Sequence, residues 1–294
     1  MRLFIFNSNV IKILSLFLLI FIAYNAFLLL FKPNIIASQN QWNDNIIFAQ
    51  DFIYEVNISK VGKNNIYDKI IVGSSMSARL WGDKLRKAHI YNLAFGGGSA
   101  LSGLHIIKNA NKLPKIIFVE SNIAFLRRSD SKMLDLLFGA DFMLKKYIVA
   151  LQTKYQPINV FLSLLKRKAG RSVEEKLAKT RNEKLYKDSL QRALQSYNQS
   201  IKDYENTLAE LRDLLLYFEN NGVKIVFFEM PIDEKLAHTR QMQESREILR
   251  NSFAYPFLLL PDYAKYQTTD GIHLLEKSAF EFSDDFLAMI KQSL

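Results

Sequence analysis

The 294-residue chain contains no cysteine. A disulfide-stapled mini-protein and a thiolate metal site are therefore excluded, and the absence is compatible with an oxidising compartment. Histidine is scarce, with four in the chain. His89, His105 and His238 have no metal-ligand neighbour three or four residues on, so they read as structural or surface residues and no metal site is expected. There is no internal repeat and no low-complexity tract outside one apolar run. The glycines follow neither the Gly-x-Gly-x-x-Gly nor the Walker spacing, so they do not read as a nucleotide-binding loop.

With 49% hydrophobic, 13% aromatic and 23% charged residues, the chain is not a disordered tail. Its apolar content is concentrated in residues 13–31, ILSLFLLIFIAYNAFLLLF, which carry no charge. At about 1.5 Å per residue this run spans about 28 Å, close to the roughly 30 Å hydrocarbon core of a bilayer. A cleavable signal has an apolar core of only about 7–15 residues, and the one small-x-x-small candidate, Ala23 to Ala26, lies inside the run. The run therefore reads as a membrane anchor. Arg2 and Lys12 precede it, and beyond Lys32 the next charges are Asp44, Asp51 and Glu55, a bias that places the N-terminus in the cytoplasm. The expectation is a single-pass protein of the bacterial inner (cytoplasmic) membrane, with everything after about residue 32 facing the periplasm or exterior. The net charge of +10 suits anionic head groups or an acidic polymer. For an outward-facing domain, nucleic acid is not an expected partner.

Residues 1–32 thus form a cytoplasmic tip and anchor, 33–65 a stalk and lead-in, and 66–294 one α/β domain with a helical insertion at about 131–220. Four short β-branched runs read as buried strands: Ile66–Val72, Ala88–Leu93, Lys115–Glu120 and Val223–Glu229. Segments of helical length separate the first three, which is the pattern of a parallel sheet covered by helices on both faces. The run from Asn182 to Asn220 repeats apolar residues every three to four positions, and Asn220-Asn221-Gly222 stops it like a helix end.

Four pieces fall at the expected strand ends, where open α/β sheets place their sites. They are Gly73-Ser74-Ser75-Met76-Ser77, Asn92-Leu93-Ala94-Phe95-Gly96-Gly97-Gly98-Ser99, Glu120-Ser121-Asn122 and Asp270-Gly271-Ile272-His273. A serine hydroxyl is a weak nucleophile until a histidine takes its proton, and that histidine needs a carboxylate to hold its tautomer. Asp270 and His273 can supply the pair from one turn. Backbone amides at a glycine turn and an asparagine amide can supply donors to an oxyanion. Each piece alone is ordinary turn chemistry; it is their order that points to a catalytic arrangement. Gly73-x-Ser75-x-Ser77 lacks the second glycine of the Gly-x-Ser-x-Gly elbow, which argues against an ordinary α/β-hydrolase.

In these pieces the sequence resembles the SGNH (GDSL-like) hydrolase superfamily, especially its membrane-anchored branch that works beside polysaccharide or teichoic-acid acyltransferases, the DltD and alginate-acetylation type. The resemblance covers roughly residues 66–125 and 222–290. It implies a flavodoxin-like sheet, with Ser75 as nucleophile, His273 as base, Asp270 as the acid that orients it, and Gly97 and Asn122 at the oxyanion; no cofactor is required. The family's Gly-Asp-Ser start is Gly73-Ser74-Ser75 here, which leaves Ser74 and Ser77 as alternative nucleophiles. The glycine that usually opens the third block is Glu120.

The implied activity is that of a serine esterase or O-acyltransferase acting on acyl, chiefly acetyl, esters of cell-envelope glycans. A reading from another class is a non-catalytic assembly factor that serves a membrane-bound O-acyltransferase. Leu134 to Leu165 mixes apolar residues with Lys145, Lys146 and Lys154, and Lys166-Arg167-Lys168 and Arg171 follow. This insertion reads either as an amphipathic basic segment, lying in a head-group region or docked on a membrane enzyme, or as a helical cap on the sheet. Lipid contact is thus expected through residues 13–31 and through 134–171. Glu55-Val56-Asn57-Ile58-Ser59 also fits the acidic-x-Asn-x-Ser acceptor of bacterial N-glycosylation, a pattern of low specificity.

Overall fold

A computed structural model describes residues 8–31, 33, 35, 40–58, 67–122, 125–166 and 172–293. Ile66 of the first expected strand, Ser59 of the glycosylation acceptor, and Arg2, Lys32, Arg167, Lys168 and Arg171 lie outside them. The helices are α1 (Ser8–Phe31), α2 (Gln41–Tyr54), α3 (Gly82–Lys87), α4 (Ala100–Asn109), α5 (Ser131–Phe138), α6 (Phe142–Tyr147), α7 (Pro157–Lys166), α8 (Val173–Leu177), α9 (Glu183–Tyr197), α10 (Glu205–Asn220), α11 (Glu234–Ala237), α12 (Arg240–Ser252) and α13 (Glu276–Ser293). The strands are β1 (Lys69–Gly73), β2 (Ile90–Ala94), β3 (Ile116–Glu120) and β4 (Lys224–Phe228). The chain divides into two compact units, Met1–Gln50 with Leu137–Gly170 and Asp51–Leu136 with Arg171–Leu294.

The second unit holds the sheet. All four strands are parallel, in the order β2-β1-β3-β4. Their β-branched and aromatic residues are buried on both faces, as a sheet covered on two sides requires. Ile71, Phe118, Val226 and Phe228 form one face with Phe282, Phe286 and Ile290 of α13. The Phe286 ring lies 5.6 Å from that of Phe118 and 4.8 Å from that of Phe228. On the other face α4 packs on β1, and α10 on α4 and β4. The expected architecture, a parallel sheet with helices on both faces, is what the chain forms.

Two stretches differ from their sequence reading. The run 182–220 is two helices, because Asp203 adopts a left-handed φ of 54° and the Ile201 N–H turns away to Glu244 Oε2 at 2.9 Å. The second of them does stop at the expected place. Val223 N donates to Phe218 O and Gly222 N to Glu219 O, with Gly222 at φ 71°, the paired bonds of a Schellman cap. The segment read as a stalk contains α2, whose Phe52 is buried in the second unit with its ring 5.4 Å from Tyr91.

The first unit contains α1, which over Asn9–Phe31 is long and apolar enough to cross a membrane. The amphipathic stretch 134–165 is broken rather than continuous: α6 and α7 are separated by short 3-10 turns at Val149–Leu151 and Thr153–Tyr155.

Candidate active site

Parallel pairing lines up the strands' C-terminal ends. Gly73 stands opposite Ala94, and Val72 opposite Val119, so the turns after β1 and β2 and the end of β3 lie side by side. In the order β2-β1-β3-β4, the connection from β1 runs one way to β2 and the connection from β2 runs back past β1 to β3, and at such a reversal doubly wound sheets bind their ligands.

Ser75 sits on the turn after β1, partly exposed, with its Oγ 2.8 Å from His273 Nε2. His273 Nδ1 is 2.7 Å from Asp270 Oδ2. The other Asp270 oxygen accepts the backbone N–H groups of Ile272 and His273 at 3.0 and 2.8 Å. One carboxylate thus folds the turn and orients the ring. The loop is braced from outside: His273 O accepts from Thr269 N, and Gly271 O from Asp233 N, each at 2.8 Å. Burial pushes the Asp270 carboxyl up, but the hydrogen bonds from the His273 ring and the two backbone N–H groups outweigh it and hold the pKa down to about 2.

This sets the sign of a pH effect. Because its folded-state pKa lies below the ordinary value of about 4, Asp270 stabilises the fold above that pH, and the contribution disappears as pH falls toward 2. The unfolding temperature of the protein should exceed that of Asp270→Asn at pH 5, with the gap closing as pH is lowered. Scanning calorimetry across that range checks this; a gap independent of pH would refute it.

The other two serines are committed elsewhere. Ser74 Oγ donates to Glu120 Oε1 at 2.7 Å and Ser77 Oγ to Glu120 Oε2 at 2.5 Å, while the Ser74 and Ser77 N–H groups reach Oε2 at 2.9 and 3.1 Å. Four donors thus converge on one buried carboxylate and hold the turn on both sides of Ser75. Ser74 and Glu120, the two residues that depart from the GDSL-like pattern the sequence resembles, are therefore hydrogen-bond partners, and β3 supplies the carboxylate that holds the turn. Gly73 permits the approach, since a Cβ there would stand 2.7 Å from Glu120 Cβ. Asn92 of β2 adds a further tie, its Nδ2 donating to Ser77 O at 2.8 Å.

Gly97 lies at the exposed tip of the turn after β2, with φ 69°. Asn122 is buried and grips the backbone of Met230, donating from Nδ2 to its carbonyl at 2.9 Å and accepting its N–H at 2.7 Å. An amide nitrogen carries two hydrogens, so one donor remains for another acceptor. Sequence reading passed over Tyr197, at the end of α9. Its hydroxyl is raised above the ordinary value by burial and by the carboxylates of Glu120 and Asp270, with Arg127 opposing. The periodicity of α9 marked Tyr197 only as apolar. His105 pairs with Glu210 at 2.7 Å, a structural contact. A cavity of about 540 Å³ lined by Lys69, Lys84, Ile90 and Ile290 lies at the opposite, N-terminal ends of β1 and β2.

No protein-family model and no curated protein matches the chain. Among solved structures it is similar to a protein assigned as an acylhydrolase from Bacteroides fragilis, at 10% identity and a TM-score of 0.40, over 87% of this chain and 97% of that one. It is also similar to a GDSL-like lipase from Bacteroides thetaiotaomicron, at 10% identity and a TM-score of 0.39, over 86% and 98%.

Proposed function

We propose that this protein is a membrane-anchored serine esterase or O-acyltransferase. The single observation that carries the reading is the unbroken chain from Ser75 Oγ through His273 to Asp270, at 2.8 and 2.7 Å. In this scheme His273, protonated on Nδ1 and bonded there to Asp270, takes the Ser75 proton on Nε2 as Oγ attacks an acyl carbonyl. The oxyanion draws on amides around Gly97 and the remaining Asn122 donor. Collapse expels an alcohol that receives the proton from His273, leaving an acyl-Ser75 ester, and water or a sugar hydroxyl then takes the acyl group by the reverse path. No step requires a cofactor.

The finer reading is an inner-membrane protein whose site faces the periplasm and acts on acetyl esters of a cell-envelope glycan, in company with a membrane-bound O-acyltransferase. Its supports are the apolar helix α1 and the resemblance of the four site pieces to the membrane-anchored branch. The test is to treat the full-length protein in detergent with a fluorophosphonate and locate the adduct by peptide mass spectrometry. Modification of Ser75 is expected. A folded protein left unmodified, or modified at Ser74 or Ser77, would overturn the scheme, and the unmodified case would favour a non-catalytic assembly factor.

A further inference from the structure

In the first unit, α6 and α7 are built inside out. Along α7 the residues at i, i+3 and i+7, Ile158, Phe161 and Leu165, are 51%, 58% and 63% exposed, while the polar Asn159 and Ser163 are buried. In α6, Met143, Leu144 and Tyr147 are exposed beside Lys146, whose long side chain can carry its charge to the head groups, while Lys145 is only 4% exposed and ion-paired to Asp141 at 2.9 Å. The inward polar groups are satisfied locally: Asn159 Nδ2 donates to Thr153 O at 2.6 Å, and Gln152 Nε2 to Lys145 O at 2.8 Å. A helix that faces water carries its apolar stripe toward the core. The reverse order, with polar residues gathered inside and apolar residues outside, is the arrangement of segments solvated by lipid.

The segment is also pinned to α1 at a definite depth. Tyr24 Oη donates to Tyr155 O at 2.7 Å, and Asn25 Oδ1 accepts the Ala150 N–H at 3.0 Å. Leu28, one turn further along α1, is buried. Asn25 lies six residues before Phe31, or about 9 Å of helix rise inside the end of the apolar run. Tyr24 and Asn25 thus satisfy backbone groups of the 3-10 turns at a level where no water would do so.

We infer that residues 142–165 form a second membrane element, lying in the plane of the bilayer leaflet next to the end of α1 and sunk into its hydrocarbon. The occupant of the exposed face is lipid acyl chain, because the turns between α6 and α7 are tied to Tyr24 and Asn25 inside the apolar run, where α1 itself exposes Phe27, Leu29, Leu30 and Phe31. An in-plane helix typically buries its apolar face about 5–10 Å below the head groups, which matches the position of Asn25. The inference rests on the reading that α1 spans the membrane.

The cysteine-free chain allows a clean test. Full-length protein carrying Phe161→Cys, Met143→Cys, Leu19→Cys in α1 or Lys187→Cys in the sheet unit is spin-labelled and reconstituted into phosphatidylethanolamine and phosphatidylglycerol vesicles. Collision with oxygen, which partitions into lipid, is compared with collision with a water-soluble nickel chelate. Positions 161 and 143 should lose nickel accessibility to the level of position 19 and keep high oxygen accessibility. If both behave like position 187 while 19 stays in lipid, the in-plane element is refuted and the anchor reading survives. Shielding of 161 and 143 from both reagents would mean that a second copy or another protein covers the face, which also refutes the inference. Nickel access at position 19 would remove the anchor and the inference together.

Discussion

Ser75→Ala and His273→Ala should each lower turnover of p-nitrophenyl acetate by at least about 10³-fold, and the double variant should be no worse than either single one. The argument is geometric. In the proposed scheme the Ser75 hydroxyl is activated only through His273 Nε2 at 2.8 Å, so removing either partner removes the same proton transfer. Both side chains are partly exposed on turns, so the unfolding temperature should move little. Steady-state kinetics beside thermal unfolding checks this. Losses that multiplied in the double variant would mean that the two residues act independently and that the hydrogen bond is idle.

Glu120→Ala should produce the largest loss of stability of any single change at the site. The Ser74 and Ser77 N–H groups, buried and bonded to its carboxylate, would lose their acceptor, and each buried donor left unpaired costs about 1–3 kcal/mol. For a domain of this size two such losses lower the unfolding temperature by roughly 10 °C. Activity should fall as well, because the turn that aims Ser75 is held from both flanks by this one group. The sharper measurement is a rescue. If a carboxylate belongs at this point whichever strand supplies it, Ser74→Asp combined with Glu120→Gly should recover stability and turnover that Glu120→Gly alone loses. Single losses that merely add in the double variant would show that the two positions do not exchange roles.

The strands were legible because their buried apolar runs leave little ambiguity: Ile70, Ile71 and Val72, or Ile117 to Val119, are solvated on neither face. The stop at Gly222 was legible for an equally local reason. The partnership of Ser74 and Glu120 was not, since it joins positions 46 residues apart and emerges only when the register sets Val119 beside Val72. Each residue read singly looks like a departure from a pattern. Together they restore a carboxylate to the turn. The break at 198–204 escaped notice because Ile201 and Tyr204 keep the helical period while Glu244, distant in sequence, takes the Ile201 N–H. The inverted faces of α6 and α7 were hidden for a different reason. Periodicity shows that a helix has two faces, and it is silent about which solvent each one meets.

The hydrogen bond between Ser75 and His273 closes a loop of 198 residues. At a synthesis rate of about 5–20 residues per second, the serine leaves the ribosome some 10–40 s before its histidine. Through that interval, and through any passage across a membrane in extended form, Ser75 has no base. A chain interrupted between residues 229 and 272 would carry the whole parallel sheet and, in the proposed scheme, no means of attacking an ester. If the proposed scheme holds, chemical competence arrives just before the last helix, so the order of synthesis itself keeps the nascent protein inert.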